Sequence, residues 1–270
     1  MSRLDLHVER DGPPGAPALL LLHGFTGSTR TWDDLRQALR DDCQVLALDL
    51  PGHGKSPVPH DPAAYALPSV AHDIARALDH EGISRCAVLG YSMGGRQALR
   101  FALAYPERVS SLILESTSPG IADPTERAQR RGRDHELADF IEREGVTAFV
   151  DMWERLPLWT TQASLPEAVK AKQRAIRLSH SGKGLANSLR GAGQGEDEFF
   201  MPSLAELRVP LTMIVGAMDV AYVNHAQRML TAIRNTSGEA ALIEVSDAGH
   251  AVHLEQPARH AAAVRKLVGR

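Results

Sequence analysis

The chain has 270 residues, 43% of them hydrophobic and 23% charged, an ordinary balance for a globular protein with a sizeable core. Its formal net charge of -3, with no long run of one sign, argues against a nucleic-acid or membrane-surface partner. The start, Met1-Ser2-Arg3-Leu4-Asp5-Leu6-His7, has no apolar signal core, and the longest apolar stretch, Ala16 to Leu22, is too short to span a bilayer, so a cytoplasmic protein is expected.

Strand-like runs occur at Leu4–Glu9, Ala18–His23, Gln44–Leu50, Cys86–Gly90, Ser111–Glu115, Leu211–Gly216 and Ala241–Val245. Most are continuous apolar runs, the mark of strands covered on both faces. Cys43 and Cys86 sit at the starts of two of them and read as small core residues rather than a disulfide. Helical patterns fall between, at Thr31–Arg40, Leu67–Glu81, Arg96–Ala104, Asn224–Ile233 and Pro257–Val268. Alternating β and α predicts an α/β fold, a mostly parallel, doubly wound sheet with helices on both sides. Between Pro119 and Pro202 the alternation stops. Thr125–Glu144, Val146–Arg155 and Leu165–Ser179 are helical in pattern with no strand among them, and Ser179–Gly195 reads as a mobile Gly/Ser-rich connector. The expectation is a core of residues 1–118 and 203–270 with a helical cap, 119–202, over the carboxyl ends of the strands, where open α/β sheets bind ligands.

Chemistry first appears at Gly90-Tyr91-Ser92-Met93-Gly94-Gly95, between a strand run and a helix run. G-x-S-x-G in that setting predicts a nucleophile elbow, a turn so tight that its flanks must be small. A serine hydroxyl needs a histidine to take its proton and an acid to orient that histidine, in the chain order Ser, acid, His. His250, in the loop after the last strand, is the candidate base; His253 is its competitor. Asp219, leaving the end of the Leu211–Gly216 strand, is the candidate acid, and Asp247 is the rival, with a turn as its simpler role. The backbone N–H groups of Phe25 and Met93 are the candidate oxyanion donors. Gly54-Lys55-Ser56 ends like a phosphate loop, but Asp49 stands where that motif needs glycine. No G-x-G-x-x-G and no zinc spacing is present, so neither cofactor nor metal is expected.

His23-Gly24-Phe25, Asp49-Leu50-Pro51-Gly52-His53-Gly54-Lys55-Ser56, Gly90 to Gly95 and Gly249-His250 together resemble the α/β-hydrolase family over nearly the whole chain. A narrower resemblance runs from Gly90 to Gly184. It is carried by Gly90 to Arg96, Glu115-Ser116-Thr117-Ser118-Pro119-Gly120, Arg127-Ala128-Gln129-Arg130 through Asp134, Phe149-Val150-Asp151-Met152-Trp153, Pro157-Leu158-Trp159, and Arg177 followed by Gly182. These pieces resemble the 2-succinyl-6-hydroxy-2,4-cyclohexadiene-1-carboxylate synthases (MenH), lyases of menaquinone biosynthesis. The resemblance implies a Ser-His-Asp triad that serves as a base, removes a ring proton and so expels pyruvate. It implies a small anionic substrate held by Arg96, Arg130 and Arg177, with Tyr91 and Trp153 lining the pocket. Guanidinium groups suit such a substrate because they pair bidentately with carboxylates. Arg127, Arg130, Arg131 and Arg133 also fit a solvated helix face, with Arg130 and Asp134 as an i, i+4 pair. The segment Val220-Ala221-Tyr222-Val223 does not match the family pattern. Two other functions remain open: a carboxylic-ester or carbon–carbon hydrolase acting through a serine acyl-enzyme, and a non-catalytic binding protein of the same fold. Serine at position 92 excludes the aspartate-nucleophile relatives.

Overall fold

The computed structural model describes residues 4–234 and 239–268, so Met1, Ser2 and Arg3 of the start discussed above lie outside it. Seven strands form one sheet in the order β1-β3-β2-β4-β5-β6-β7. They are β1 (Val8–Asp11), β2 (Ala18–Leu22), β3 (Gln44–Leu48), β4 (Cys86–Tyr91), β5 (Val109–Glu115), β6 (Leu211–Gly216) and β7 (Ala240–Val245). β1 runs antiparallel to β3, and every other neighbouring pair is parallel. The first strand lies later than the predicted Leu4–Glu9. Leu4 N–H is bonded to Asp73 Oδ1 and His7 N–H to Ser56 Oγ, and although the His7 carbonyl accepts from Asp49 N–H just past β3, the paired strand itself runs from Val8 to Asp11.

The apolar runs are continuous because each face of the sheet carries its own core. Leu20 and Leu22 pack with Val70 and Ile74 of α2 (Leu67–His80) and Leu99 and Phe101 of α3 (Met93–Ala104). Leu19 and Leu21 point the other way, onto Trp32, onto Leu35 and Leu39 of α1 (Asp33–Leu39), and onto Val264 of the C-terminal helix (Pro257–Val268). Adjacent strand side chains alternate faces, so a strand with two apolar faces shows no polar alternation. Cys43 and Cys86 are free and buried, and burial pushes their thiols up, to about 11 and about 12.

The helical insertion between β5 and β6 begins with α4 (Pro124–Trp153), capped by Asp123, whose carboxylate accepts from the Thr125 and Glu126 amides. Its helical path breaks at Gly145, φ 85°, at the predicted gap between Thr125–Glu144 and Val146–Arg155. α5 (Glu167–Leu178) follows. The expected mobile connector, Ser179–Gly195, is corrected: Gly182–Ala192 is a helix, α6, mostly buried. Leu185, Ala186 and Leu189 pack on Ala138, Ile141, Phe149 and Val150 of α4. Its glycines serve contact rather than flexibility. A β-carbon on Gly184 would stand 2.3 Å from the Gly52 carbonyl oxygen, and one on Gly191 2.0 Å from that of Pro62. After β6 come α7 (Val220–Arg234), the short α8 (Val252–Glu255) and α9 (Pro257–Val268).

Three histidines tie the insertion to the loops beneath it. Leu50 N–H donates to His23 Nε2 at 3.0 Å, and His23 Nδ1–H donates to the Gly24 carbonyl. Gly54 N–H donates to His180 Nδ1, and His180 Nε2–H donates to the Thr26 carbonyl at 2.9 Å. His53 packs between their rings, at 5.0 and 5.2 Å between centroids. Burial lowers all three, with His180 at about 4, so the cluster is neutral at pH 7. The unfolded chain protonates histidine near pH 6.5. Between there and about 4 the unfolded state binds the extra proton, so stability falls as pH falls through that window. His180 alone accounts for about 3 kcal/mol across it. His180→Gln is therefore expected to unfold at lower urea than the parent at pH 7.5 but to lose less between pH 7 and 4.5. Parallel pH curves for the two proteins would contradict this assignment.

Candidate active site

β4 ends at Tyr91 and α3 begins at Met93, so the chain reverses at a single residue, Ser92, with φ 52° and ψ -110°. A non-glycine residue there is strained, and tight packing holds it. A β-carbon on Gly90 would lie 2.3 Å from the Gly94 carbonyl oxygen, and one on Gly94 2.3 Å from that of Leu22. Ser92 N–H is fixed to the Glu115 carbonyl at 2.9 Å. The strain lifts the Ser92 hydroxyl to the carboxyl end of the sheet.

His250 Nε2 stands 3.0 Å from Ser92 Oγ, and His250 Nδ1 stands 2.7 Å from Asp219 Oδ2. A carboxylate only accepts, so Nδ1 carries the proton and Nε2 presents its lone pair to the serine hydroxyl. Three rings pack on the imidazole: Tyr222 at 4.4 Å, Tyr91 at 5.4 Å and Trp159 at 5.8 Å between centroids. Asp247 is an exposed turn residue with φ 58°, away from His250. His253 turns from Ser92 and donates to Glu115 through both its backbone N–H and Nδ1, at 2.9 and 2.8 Å. Burial raises the Glu115 carboxyl, but the adjacent His253 and His260 outweigh it and hold the group below the usual carboxylate range. Glu115 thus braces the elbow with its carbonyl and the segment after His250 with its carboxylate. Sequence reasoning held it only as the first residue of the Glu115–Gly120 resemblance and assigned it no role; its physical signal is a lone acid ending an apolar strand.

Above Ser92 lies a cavity of about 140 Å³. Phe25 and Met93, the two expected oxyanion donors, line it beside Ser92 and His250. The Met93 amide opens α3, where a helix has no internal acceptor for it. Tyr91 and Trp153 line the same cavity, as does Trp159 from the stretch after α4.

Two of the three expected arginines reach this cavity. Arg96, buried, faces Asp197 and donates to the Ala192 carbonyl at 3.1 Å. Burial, helped by the nearby Arg130 charge, lowers it to about 10, so it stays cationic at pH 7. Arg130 bonds Asp134 Oδ1 at 2.9 Å and also Gln194, whose amide donates to Ser118 Oγ. The i, i+4 pair and the cavity-facing role therefore coexist, while Arg131 and Arg133 are exposed. Arg177 is elsewhere. It pairs with Glu154 at 2.9 Å, stacks 5.3 Å from the Trp159 ring, and lines a second cavity of about 300 Å³ behind that ring. Tyr222, in the first turn of α7, also lines the Ser92 cavity, and no sequence signal marked it.

A strained serine between a parallel strand and a helix, bonded to a histidine that is bonded to an acid, under a helical insertion, defines the α/β-hydrolase architecture. The chain belongs to the alpha/beta hydrolase fold family, whose pattern matches residues 17–257. It is 39% identical over 250 residues to a Bacillus subtilis protein provisionally named 2-succinyl-6-hydroxy-2,4-cyclohexadiene-1-carboxylate synthase, covering 93% of this chain and 89% of that one. Among solved structures, MenH from S. aureus superposes with a TM-score of 0.91 at 31% identity, covering 97% of this chain and 98% of that one. A thermophilic esterase from Thermogutta terrifontis, solved with malate bound, superposes at 0.82 with 30% identity, covering 98% and 93%.

Proposed function

We propose that the chain is a MenH-like lyase that eliminates pyruvate from a polycarboxylate cyclohexene intermediate of menaquinone biosynthesis, with residues 119–202 as its cap. One observation carries the reading: the Ser92–His250 pair opens into the same cavity as two arginines, Arg96 and Arg130. Each already pairs with one protein carboxylate, Asp197 and Asp134, but a guanidinium has five N–H donors, so both keep donors that a substrate with several carboxylates would use and a neutral ester would not. The similarity to proteins named for that activity adds weight.

Asp219 fixes His250 so that Nε2 draws the proton of Ser92. Ser92 Oγ then takes the ring proton. The electron pair it leaves behind shifts through the ring and breaks the bond to the enolpyruvyl oxygen. Enolpyruvate departs and regains a proton on carbon, giving pyruvate, so one proton leaves the ring and one returns to the product. The Phe25 and Met93 amides would steady negative charge developing on the substrate. About 140 Å³ is small beside the ~300–1,000 Å³ typical of ligand pockets. Rotation of Trp159 would join the two cavities and bring Arg177 within reach of the same substrate.

The test is pyruvate release from the ring intermediate, measured beside a panel of small esters. Elimination is expected to exceed ester turnover. Efficient ester cleavage without pyruvate release would favour the second reading, a serine hydrolase, which the same strained Ser92 and the likeness to the Thermogutta esterase support. In either reading Asp219→Asn is expected to cost far more activity than Asp247→Asn, because only a carboxylate holds the required tautomer of His250 and steadies its cation. Equal losses would remove Asp219 from the relay.

A further inference from the structure

Tyr222 belongs to none of the motifs above, yet it sits at the centre of the site. It lies three residues after Asp219, on the first turn of α7, and is partly buried. Its ring packs 4.4 Å from the His250 ring, closer than any other aromatic ring does. It lines the same cavity as Ser92, whose Oγ lies 3.0 Å from His250 Nε2, and as Arg96 and Arg130. The phenol thus shares one cavity wall with the base and the two cations. Burial and the Asp219 charge raise its pKa, so at neutral pH it is a protonated donor.

We propose that Tyr222 sets which reaction Ser92 performs: its O–H stabilises the Ser92 oxygen as His250 takes the proton, and so favours proton abstraction over acylation. This rests on the lyase reading for its substrate but not for its physics. When Ser92 acts as a base, Oγ loses its proton to His250, gains the ring proton and ends as a hydroxyl. A phenol can donate to it throughout. When Ser92 acts as a nucleophile, Oγ ends as an ester oxygen, a poorer acceptor, and the acyl group must approach the space the phenol occupies. A donor to a charged oxygen is worth more than one to a neutral oxygen, so the phenol helps the step in which charge gathers on Oγ.

The test is Tyr222→Phe, which keeps the ring on His250 and removes only the O–H. Two rates are read on the purified protein: pyruvate release from the ring intermediate, and labelling of Ser92 by a fluorophosphonate, which reports nucleophilic attack. The expected result is a fall of about ten- to a hundredfold in kcat for elimination with KM nearly unchanged, while labelling is as fast or faster. A merely structural phenol would lower both rates together, and that outcome overturns the proposal. Unchanged elimination in a parent that does release pyruvate overturns it as well. If the parent releases no pyruvate, the lyase reading fails by itself. The labelling arm then decides for Tyr222, since slower labelling in the Phe variant contradicts a phenol that restrains acylation and faster labelling supports it.

Discussion

Ser92→Ala and His250→Ala are each expected to lower pyruvate elimination by roughly a hundred- to ten-thousandfold, the range a positioned base contributes. The two losses should not add, because serine and histidine move one proton as a unit, 3.0 Å apart, and either change breaks the relay. Stability should separate them. Ser92→Ala removes one oxygen from a residue whose backbone is held by Gly90, Gly94 and the Glu115 carbonyl, so its urea midpoint should stay near that of the parent. His250→Ala deletes a buried ring packed on Tyr91, Trp159 and Tyr222, so it should unfold somewhat earlier. The measurement is kcat for pyruvate release with urea unfolding on the same preparations. Near-parental turnover by Ser92→Ala would remove the serine from the mechanism and with it the assignment of the site.

How much of this was legible in the sequence depended on how local the cause was. The elbow was readable because its strain has a local signature: small residues at 90 and 94 and a serine between an apolar run and a helix. His250 and Asp219 were readable from chain order and strand ends, since the parallel sheet brings those ends together. α6 was misread because Gly182, Gly184 and Gly191 look like flexibility when the other side of the contact, Gly52 and Pro62, lies over a hundred residues away. The places of Tyr222 and Glu115 in the site were illegible for the same reason. A tyrosine in a helix and a glutamate ending a strand are common, and only the fold packs one on His250 at the wall of the Ser92 cavity and buries the other beside two histidines. Arg177 is a subtler case. The sequence offers a third cation on the insertion, but the Trp159 ring, which lines both cavities, stands against it, and Arg177 does not line the Ser92 cavity.

The arginines decide between lyase and general hydrolase, and their neighbours dictate how the experiment is built. Arg96→Ala alone would leave the buried Asp197 carboxylate unpaired, a destabilisation of about 3–5 kcal/mol that would mimic a loss of function. Arg96→Ala combined with Asp197→Asn removes the charge from both sides and keeps the comparison clean. Arg130→Ala likewise uncovers a buried carboxylate, Asp134, so it is combined with Asp134→Asn in the same way. A charge-assisted contact to a carboxylate is worth ~1.5–3 kcal/mol, so each paired variant should lose about ten- to a hundredfold in kcat/KM on the polyanionic substrate, and the two combined considerably more. Arg177→Ala should lose less, and mainly through KM, since Arg177 does not line the Ser92 cavity and Trp159 must turn aside before it meets substrate. A small neutral ester has no carboxylate to hold, so whatever slow hydrolysis the protein shows should be unaffected in all of them. Raising the salt concentration should weaken the parent on the anionic substrate and the arginine variants less, because screening acts on attractions they no longer have. Loss of neutral-ester turnover in step with the anionic substrate would mean that the arginines merely hold the insertion in place. The site would then be a serine hydrolase without a polyanion pocket.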